Sequence, residues 1–202
     1  MRYPTHHKHG TRARILRAAS EVFRERGVAS TGVDAVMRRA GLTHGGFYAH
    51  FRGKAELVAE ACAAGFDAGR ENFERIAALP TRRERVRALV LSYLSARHRD
   101  HPAAGCLVAA LGLEAARPGG AARRGYAAAL QRHRARLAAA LRLADDPAEN
   151  ERLATALLSQ LVGALILARS LADPAESGAV LRHARRTALE HFAPPPANPE
   201  HP

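Results

Sequence analysis

Apolar residues recur at three- and four-residue intervals from about residue 11 to residue 192, and no stretch sustains the alternation of a β-strand. That spacing puts one apolar stripe on each of a series of helices, so the chain is expected to be all-α. Glycine and proline divide the series. Thr11 is placed to cap a first helix carrying Ile15, Ala19, Val22 and Phe23, and Gly27 ends it, because glycine takes the left-handed post-helix conformation without strain. Short helices are expected over Val33–Ala40 and His44–His50, broken at Gly41. Longer ones follow from Lys54 to about Leu79 and from Pro80-Thr81 to about His98, with another around Cys106–Glu114 behind His101-Pro102. Beyond the break at Pro118-Gly119-Gly120, the pattern gives a helix with Tyr126, Leu130, His133, Leu137 and Leu141. Asp145-Asp146-Pro147 and Asp173-Pro174 open the last two, which end near Leu171 and Phe192. The reading is nine helices in two domains, with no internal repeat.

The charge is unevenly spread. The chain carries a formal net charge of +12, which suits a polyanionic partner, nucleic acid or an acidic membrane surface. Residues 1–54 hold eleven Lys/Arg against three Asp/Glu, a net +8 in the first quarter. An electrostatic footprint concentrated in this way is expected at the N-terminal end. Cys62 and Cys106 belong to no CxxC pair, so a zinc ribbon or disulfide framework is not expected. The first ten residues have no apolar core of a signal peptide, and the longest apolar run, Leu161–Ala168, is far short of the roughly 20 residues that span a bilayer. A cytoplasmic protein without a metal or cofactor is expected. The polar segment Met1–Gly10, with His6, His7 and His9, reads as a flexible basic arm, and the proline-rich segment 194–202 as a disordered tail.

The most informative stretch is Thr31–Lys54, TGVDAVMRRAGLTHGGFYAHFRGK. Two short helices meet at Ala40-Gly41-Leu42. Val33, Val36 and Met37 give the first an inward face, and Leu42, Phe47 and Phe51 do so for the second, with Thr43 placed to cap it. This is the anatomy of a helix-turn-helix, whose second helix enters the major groove. With Thr31, the run Val36-Met37-Arg38-Arg39-Ala40-Gly41, the aromatic run Phe47-Tyr48-Ala49-His50-Phe51 and Lys54, the sequence resembles the tetracycline-repressor (TetR) family of bacterial regulators. Gly32 and Gly53 stand where that family often has Ser or Thr. The resemblance implies a helix-turn-helix DNA-binding domain over residues 11–54 and an effector-binding and dimerisation domain over 55–193.

Within that frame, DNA contacts are expected from Arg38, Arg39, Thr43, His44, Gly45, Gly46, Tyr48, His50 and Lys54. Tyr48 is expected to offer its hydroxyl to a phosphate while its ring packs on Phe51. Lys54, one of two lysines against twenty-nine arginines, adds a cation at a helix N-terminus. Gly45 and Gly46 let the backbone come close to DNA, and His44 and His50 are the side chains at the groove. Arg38 and Arg39 are either phosphate contacts or a solvated face. In the resembled family the last two helices pair with their copies. Here Leu157, Leu158, Leu161, Val162, Leu165 and Ile166 form an apolar band, with Gly163, Ala164 and Ala168 small enough for close approach; Val180, Leu181, Ala184, Leu189 and Phe192 line the final helix.

A regulator needs an input, and polar groups on otherwise apolar faces are candidates for an effector pocket: Tyr93, Cys106, Glu114 and His133. Gly105-Cys106-Leu107 followed by Glu114-Ala115 resembles a branch of the family in which some members sense electrophiles or oxidants through that thiol. Thiols at helix N-termini are reactive, whereas a buried free cysteine is simply a small apolar residue. The expected function is a sequence-specific repressor, homodimeric on palindromic double-stranded DNA and released by a small-molecule or thiol-reactive effector. The alternative is a helical protein that coats DNA non-specifically. No nucleophile–base arrangement, phosphate loop or metal-ligand spacing points to an enzyme.

Overall fold

The computed structural model describes residues 5–117 and 121–194. The described residues are helical and turn structure without strands. In order they form α1 (Thr5–Arg26), α2 (Val33–Arg39), a 3-10 turn (His44–Ala49), α3 (Lys54–Asp67), α4 (Arg70–Ala77), α5 (Arg82–Tyr93) and α6 (Ala96–Asp100). A second 3-10 turn (Pro102–Ala104) leads into α7 (Leu107–Ala116), α8 (Ala121–Leu141), α9 (Pro147–Ser170) and α10 (Pro174–Phe192). The expected break at 118–120, the arm up to residue 4 and the tail from 195 lie outside the described residues.

Two compact units result. The first takes residues up to Gly69 and His101–His133, the second Arg70–Asp100 and the chain from Arg134. Compactness therefore does not follow the expected division at residue 54: α3, α7 and most of α8 pack with the helix-turn-helix. The core of the first unit joins Ile15, Ala19 and Phe23 of α1 to Val36 and Met37, Phe47 and Phe51, Leu57 and Cys62 of α3, and Leu107 and Leu111 of α7. The core of the second joins Val86, Leu89 and Val90 of α5 to Leu137 and Leu141, Leu157 and Leu161 of α9, and Leu181 and Phe192 of α10.

Several helix starts are written in the sequence. The Thr81 hydroxyl accepts from the Glu84 N–H while the Glu84 carboxylate accepts from the Thr81 N–H, a reciprocal cap that opens α5. Asp146 accepts from the Glu149 N–H ahead of Pro147, and Asp173 from the Ala175 N–H ahead of Pro174. Other boundaries differ from the sequence reading. Helix α1 begins at Thr5, so Thr11 is interior and residues 5–10 are not a loose arm; extending a helix already nucleated costs far less than starting one. The helix expected over 54–79 is broken between Asp67 and Arg70, where Gly69 weakens it. The helix expected to reach His98 ends at Tyr93, and the Leu94 carbonyl accepts 2.6 Å from Arg185 of α10. Ten α-helices and two 3-10 turns are therefore described where nine helices were expected.

Helix α9 is long and apolar enough to cross a membrane by length and composition, but Leu157, Leu158, Leu161, Ala164, Leu165 and Ala168 are buried in the second unit's core. Most of the apolar band expected at a dimer surface is thus used within one chain. Ile166 remains exposed from it, joined by Leu167 and Leu171, which the sequence reading had not singled out.

Candidate nucleic-acid interface and effector site

The turn between α1 and α2 is closed by chemistry local to the motif. Gly27 adopts φ +79°, its N–H donates 2.9 Å to the Phe23 carbonyl, and the buried Thr31 hydroxyl donates 2.6 Å to the Gly27 carbonyl. Gly41 adopts φ +67° at the second turn, where a side chain would be strained. The Leu42 N–H donates back to the Met37 carbonyl at 2.9 Å. Phe47 and Phe51 lie beneath the reading segment with stacked rings 5.5 Å apart, both buried. The Arg12 guanidinium lies 4.6 Å from the Phe51 ring centroid and pairs with Glu60 of α3. These contacts set a rigid floor.

Above that floor the reading segment is a six-residue 3-10 turn, not an α-helix, and Thr43 makes no side-chain cap. Thr43, His44, Gly45 and Tyr48 are exposed, Gly46 and His50 half-buried. Tyr48 is 68% exposed and its ring meets the edge of Phe47, 5.3 Å between centroids, so the expected packing on Phe51 belongs to Phe47 instead. Phe47 points into the core from the preceding position and supplies the nearer aromatic edge. The His44 ring bonds through Nδ1 to the Asp34 carboxylate of α2. Lys54 is the first residue of α3, and the Glu56 carboxylate accepts 2.7 Å from the Arg52 N–H just ahead of it.

The two arginines of α2 part company. Arg39 bonds Glu21 at 3.3 Å and Glu25 at 3.1 Å, a tie to α1, and these carboxylates hold its guanidinium charged by raising its pKa. Arg38 is exposed and makes no such tie, which leaves it to a phosphate.

The four effector candidates are not equivalent. Tyr93 lies in the second unit, its ring 4.6 Å from His98, whose Nδ1 donates 2.6 Å to the Tyr93 carbonyl. Burial holds His98 below the usual histidine range. Glu114 of α7 is not a pocket residue: its carboxylate accepts from the backbone N–H groups of Val28, at 3.0 Å, and Ala29, at 3.2 Å, just past the end of α1. It satisfies donors that the turn would otherwise leave unpaired. His133 lies against Phe66, ring centroids 5.0 Å apart. Cys106 is the residue that precedes the first turn of α7 and is half-buried.

The sequence reading missed two neighbours of these groups. Arg24, on α1, is largely buried; its Nε donates to the Ala103 carbonyl and its Nη1 to the Ser20 hydroxyl at 2.9 Å. Burial lowers its pKa, while its charge interacts with both Cys106 and Cys62. The cation near the thiols is therefore Arg24 and not Arg97 or Arg99, which lie in the second unit. Tyr126 is 6% exposed, its ring 5.4 Å from Phe66, and its hydroxyl has no hydrogen-bond partner in the chain. Desolvation pushes that hydroxyl well above the usual tyrosine range. Cys62 is buried and burial pushes its thiol up to about 11, against the pull of Arg24.

Comparison with known proteins decides the family. Residues 15–61 match the model for bacterial regulatory proteins of the tetR family, and residues 83–184 match a tetracyclin repressor-like C-terminal domain. The chain belongs to the TetR family. Over 48 residues it is 48% identical to the HTH-type transcriptional regulator SrpR of Pseudomonas putida, covering 24% of this chain and 22% of that one. It is 50% identical over 48 residues to TtgR of the same species, covering 23% of that protein, so the match spans about a quarter of these curated relatives. Over nearly the whole chain the fold is similar to the reduced form of NemR from E. coli (TM-score 0.75, 20% identity, 93% of this chain and 99% of that one). It is also similar to FadR from Bacillus subtilis in complex with stearoyl-CoA (TM-score 0.66, 16% identity, 90% and 98%).

Proposed function

We propose that this TetR-family regulator is a cytoplasmic repressor that binds a palindromic operator as a homodimer and leaves it when an effector acts on the first unit. The observation that carries the reading is the reading turn itself. Tyr48 and His44 stand exposed on a floor of buried Phe47 and Phe51, with Arg38 before them and Lys54 behind. Arg38, Tyr48 and Lys54 are phosphate contacts that set register, and Thr43, His44 and His50 read bases. Exposed Ile166, Leu167 and Leu171 support a second copy on the outer face of α9, where a side chain at Gly163 would meet nothing within 4 Å in its own chain. Selection of bound fragments from random DNA tests this: a two-fold symmetric site is expected, with half-site centres about 34–36 Å apart or a multiple of that. A monomer bound to an asymmetric site overturns it.

The effector acts on the thiol of Cys106, or occupies the space around Tyr126 and His133. Tyr126 supports the second route, because a buried hydroxyl without a partner favours a ligand that supplies one. Cys106 supports the first, being half-buried, whereas Cys62 is buried with a thiol that stays neutral well above pH 8. Treating operator-bound protein with a mild thiol-reactive electrophile separates the routes. Release in wild type and in Cys62→Ser, but not in Cys106→Ser, assigns the input to Cys106. Retention of DNA by protein fully modified at Cys106 assigns it to a non-covalent ligand.

A further inference from the structure

The contact between His44 and Asp34 has a chemical consequence for base reading. An ionised carboxylate is an acceptor only, so the His44 Nδ1 that meets the Asp34 oxygen must carry a proton. This holds whether the ring is neutral or charged. The titrating atom is then Nε2, on the far side of the ring from Asp34. When the ring is neutral, Nε2 is an acceptor; when the ring is charged, it is a donor. Histidine is the side chain whose charge changes between about pH 5 and 8.

We propose that Asp34 is a positioning residue that fixes the tautomer of His44, so that one ring atom reads a donor-bearing base at high pH and an acceptor-bearing base at low pH. In the major groove the donors are adenine N6–H and cytosine N4–H, and guanine offers the paired acceptors N7 and O6. The inference rests on the DNA-reading role given above to the 3-10 turn. The titratable groups facing His44 are Asp34 from α2 and Tyr48 from its own turn, ring centroids 6.0 Å apart, with Arg38 one turn further along α2. His44 and Asp34 are both exposed, about half and two thirds by side chain, so water and DNA reach the ring and neither residue carries the fold.

The test is selection from random DNA at pH 5.5 and pH 8.0 with wild type, Asp34→Asn and His44→Gln, folding being checked at each pH by helical circular dichroism. For wild type, one position of each half-site is expected to change from guanine at pH 5.5 to adenine or cytosine at pH 8.0. The relative affinities of the two sites should shift about three- to tenfold, the range of a single net hydrogen bond. His44→Gln has no titrating ring, so its preferred site should be the same at both pH values. Asp34→Asn gives the sharpest outcome. An amide faces Nδ1 with either its oxygen or its N–H, so both neutral tautomers form and the preference at pH 8.0 blurs. The charged ring still donates from Nε2, so the preference for guanine at pH 5.5 stays. A merely structural role for Asp34 would weaken both alike. A wild-type site unchanged between the two pH values overturns the proposal while leaving the DNA-reading role standing. So does an Asp34→Asn variant that keeps the wild-type preference at pH 8.0. Failure to enrich any sequence at either pH overturns the DNA-reading role and this proposal together.

Discussion

The two compact units use the same residue type in opposite ways. In the second unit arginines end helices. Arg85 is buried and donates to the carbonyls of Leu141 at 3.1 Å and Leu79 at 2.9 Å, and Arg169 donates to His98 and Arg99 at 2.7 and 3.1 Å. Arg185 does the same at Leu94. In the first unit most long-range polar ties run through a carboxylate: Arg12 to Glu60, Arg39 to Glu21 and Glu25, His44 to Asp34, and Glu114 to the backbone of Val28 and Ala29. A guanidinium on a carbonyl keeps its bond through the whole physiological pH range, because neither group titrates there. Ties through carboxylates depend on charge and are open to salt and competing anions. The breakable ties belong to the unit that holds the reading turn and Cys106.

Four substitutions probe this contrast. Arg85→Ala removes three bonds to carbonyls of helix ends, those of Leu79, Pro80 and Leu141. It should cost about 3 kcal/mol of unfolding free energy by chemical denaturation. A loss near zero would mean that water replaces the guanidinium and that the second unit is not held by it. Glu114→Ala strands the N–H groups of Val28 and Ala29 and should cost about 2 kcal/mol, with weaker operator binding as a second readout. Glu114→Gln keeps an acceptor in place and should recover most of that stability.

Lys54→Ala should weaken binding to every DNA sequence by about fivefold, near 1 kcal/mol, without changing the preferred site. A salt series sharpens the result: the slope of log affinity against log salt should fall by about one for the phosphate lost, and equal slopes would remove Lys54 from the interface. The smallest effect is expected at Arg152, which pairs with Glu149 one turn away on the exposed side of α9. Arg152→Ala should leave the thermal midpoint unchanged, since exposed pairs contribute little. A drop as large as that of Arg85→Ala would erase the distinction between the two kinds of arginine.

What the sequence made legible was local. Gly27 and Gly41, with the aromatic pattern around Tyr48, announce a turn and a floor within a few residues, and the structure builds them there. The proline-opened caps of α9 and α10 are equally short-range. What stayed hidden depends on partners far along the chain. Glu114 looked like a polar group on a pocket wall because its backbone partner is 86 residues away. The end of α5 at Tyr93 was invisible for the same reason: the Leu94 carbonyl is met by Arg185, 91 residues on. Arg24 reads as one more surface arginine until its carbonyl partner, Ala103, is folded against it. The Tyr48 packing failed for a subtler cause, since Phe47 and Phe51 stand on either side and only geometry tells which edge is nearer.

The seat of the Glu114 carboxylate also ties two positions together in heredity. A β-carbon added at Gly27 would fall 2.2 Å from Glu114 Oε1, on a backbone already at φ +79°. The side chain could swing aside only by releasing Val28 and Ala29. A lineage that drifts away from glycine at 27 therefore inherits a worse residue at 114 in the same step, and a lineage that shortens 114 loses one of the reasons to keep glycine. Substitutions at the two positions should arise as linked pairs among descendants of this chain, although neither residue touches DNA or effector.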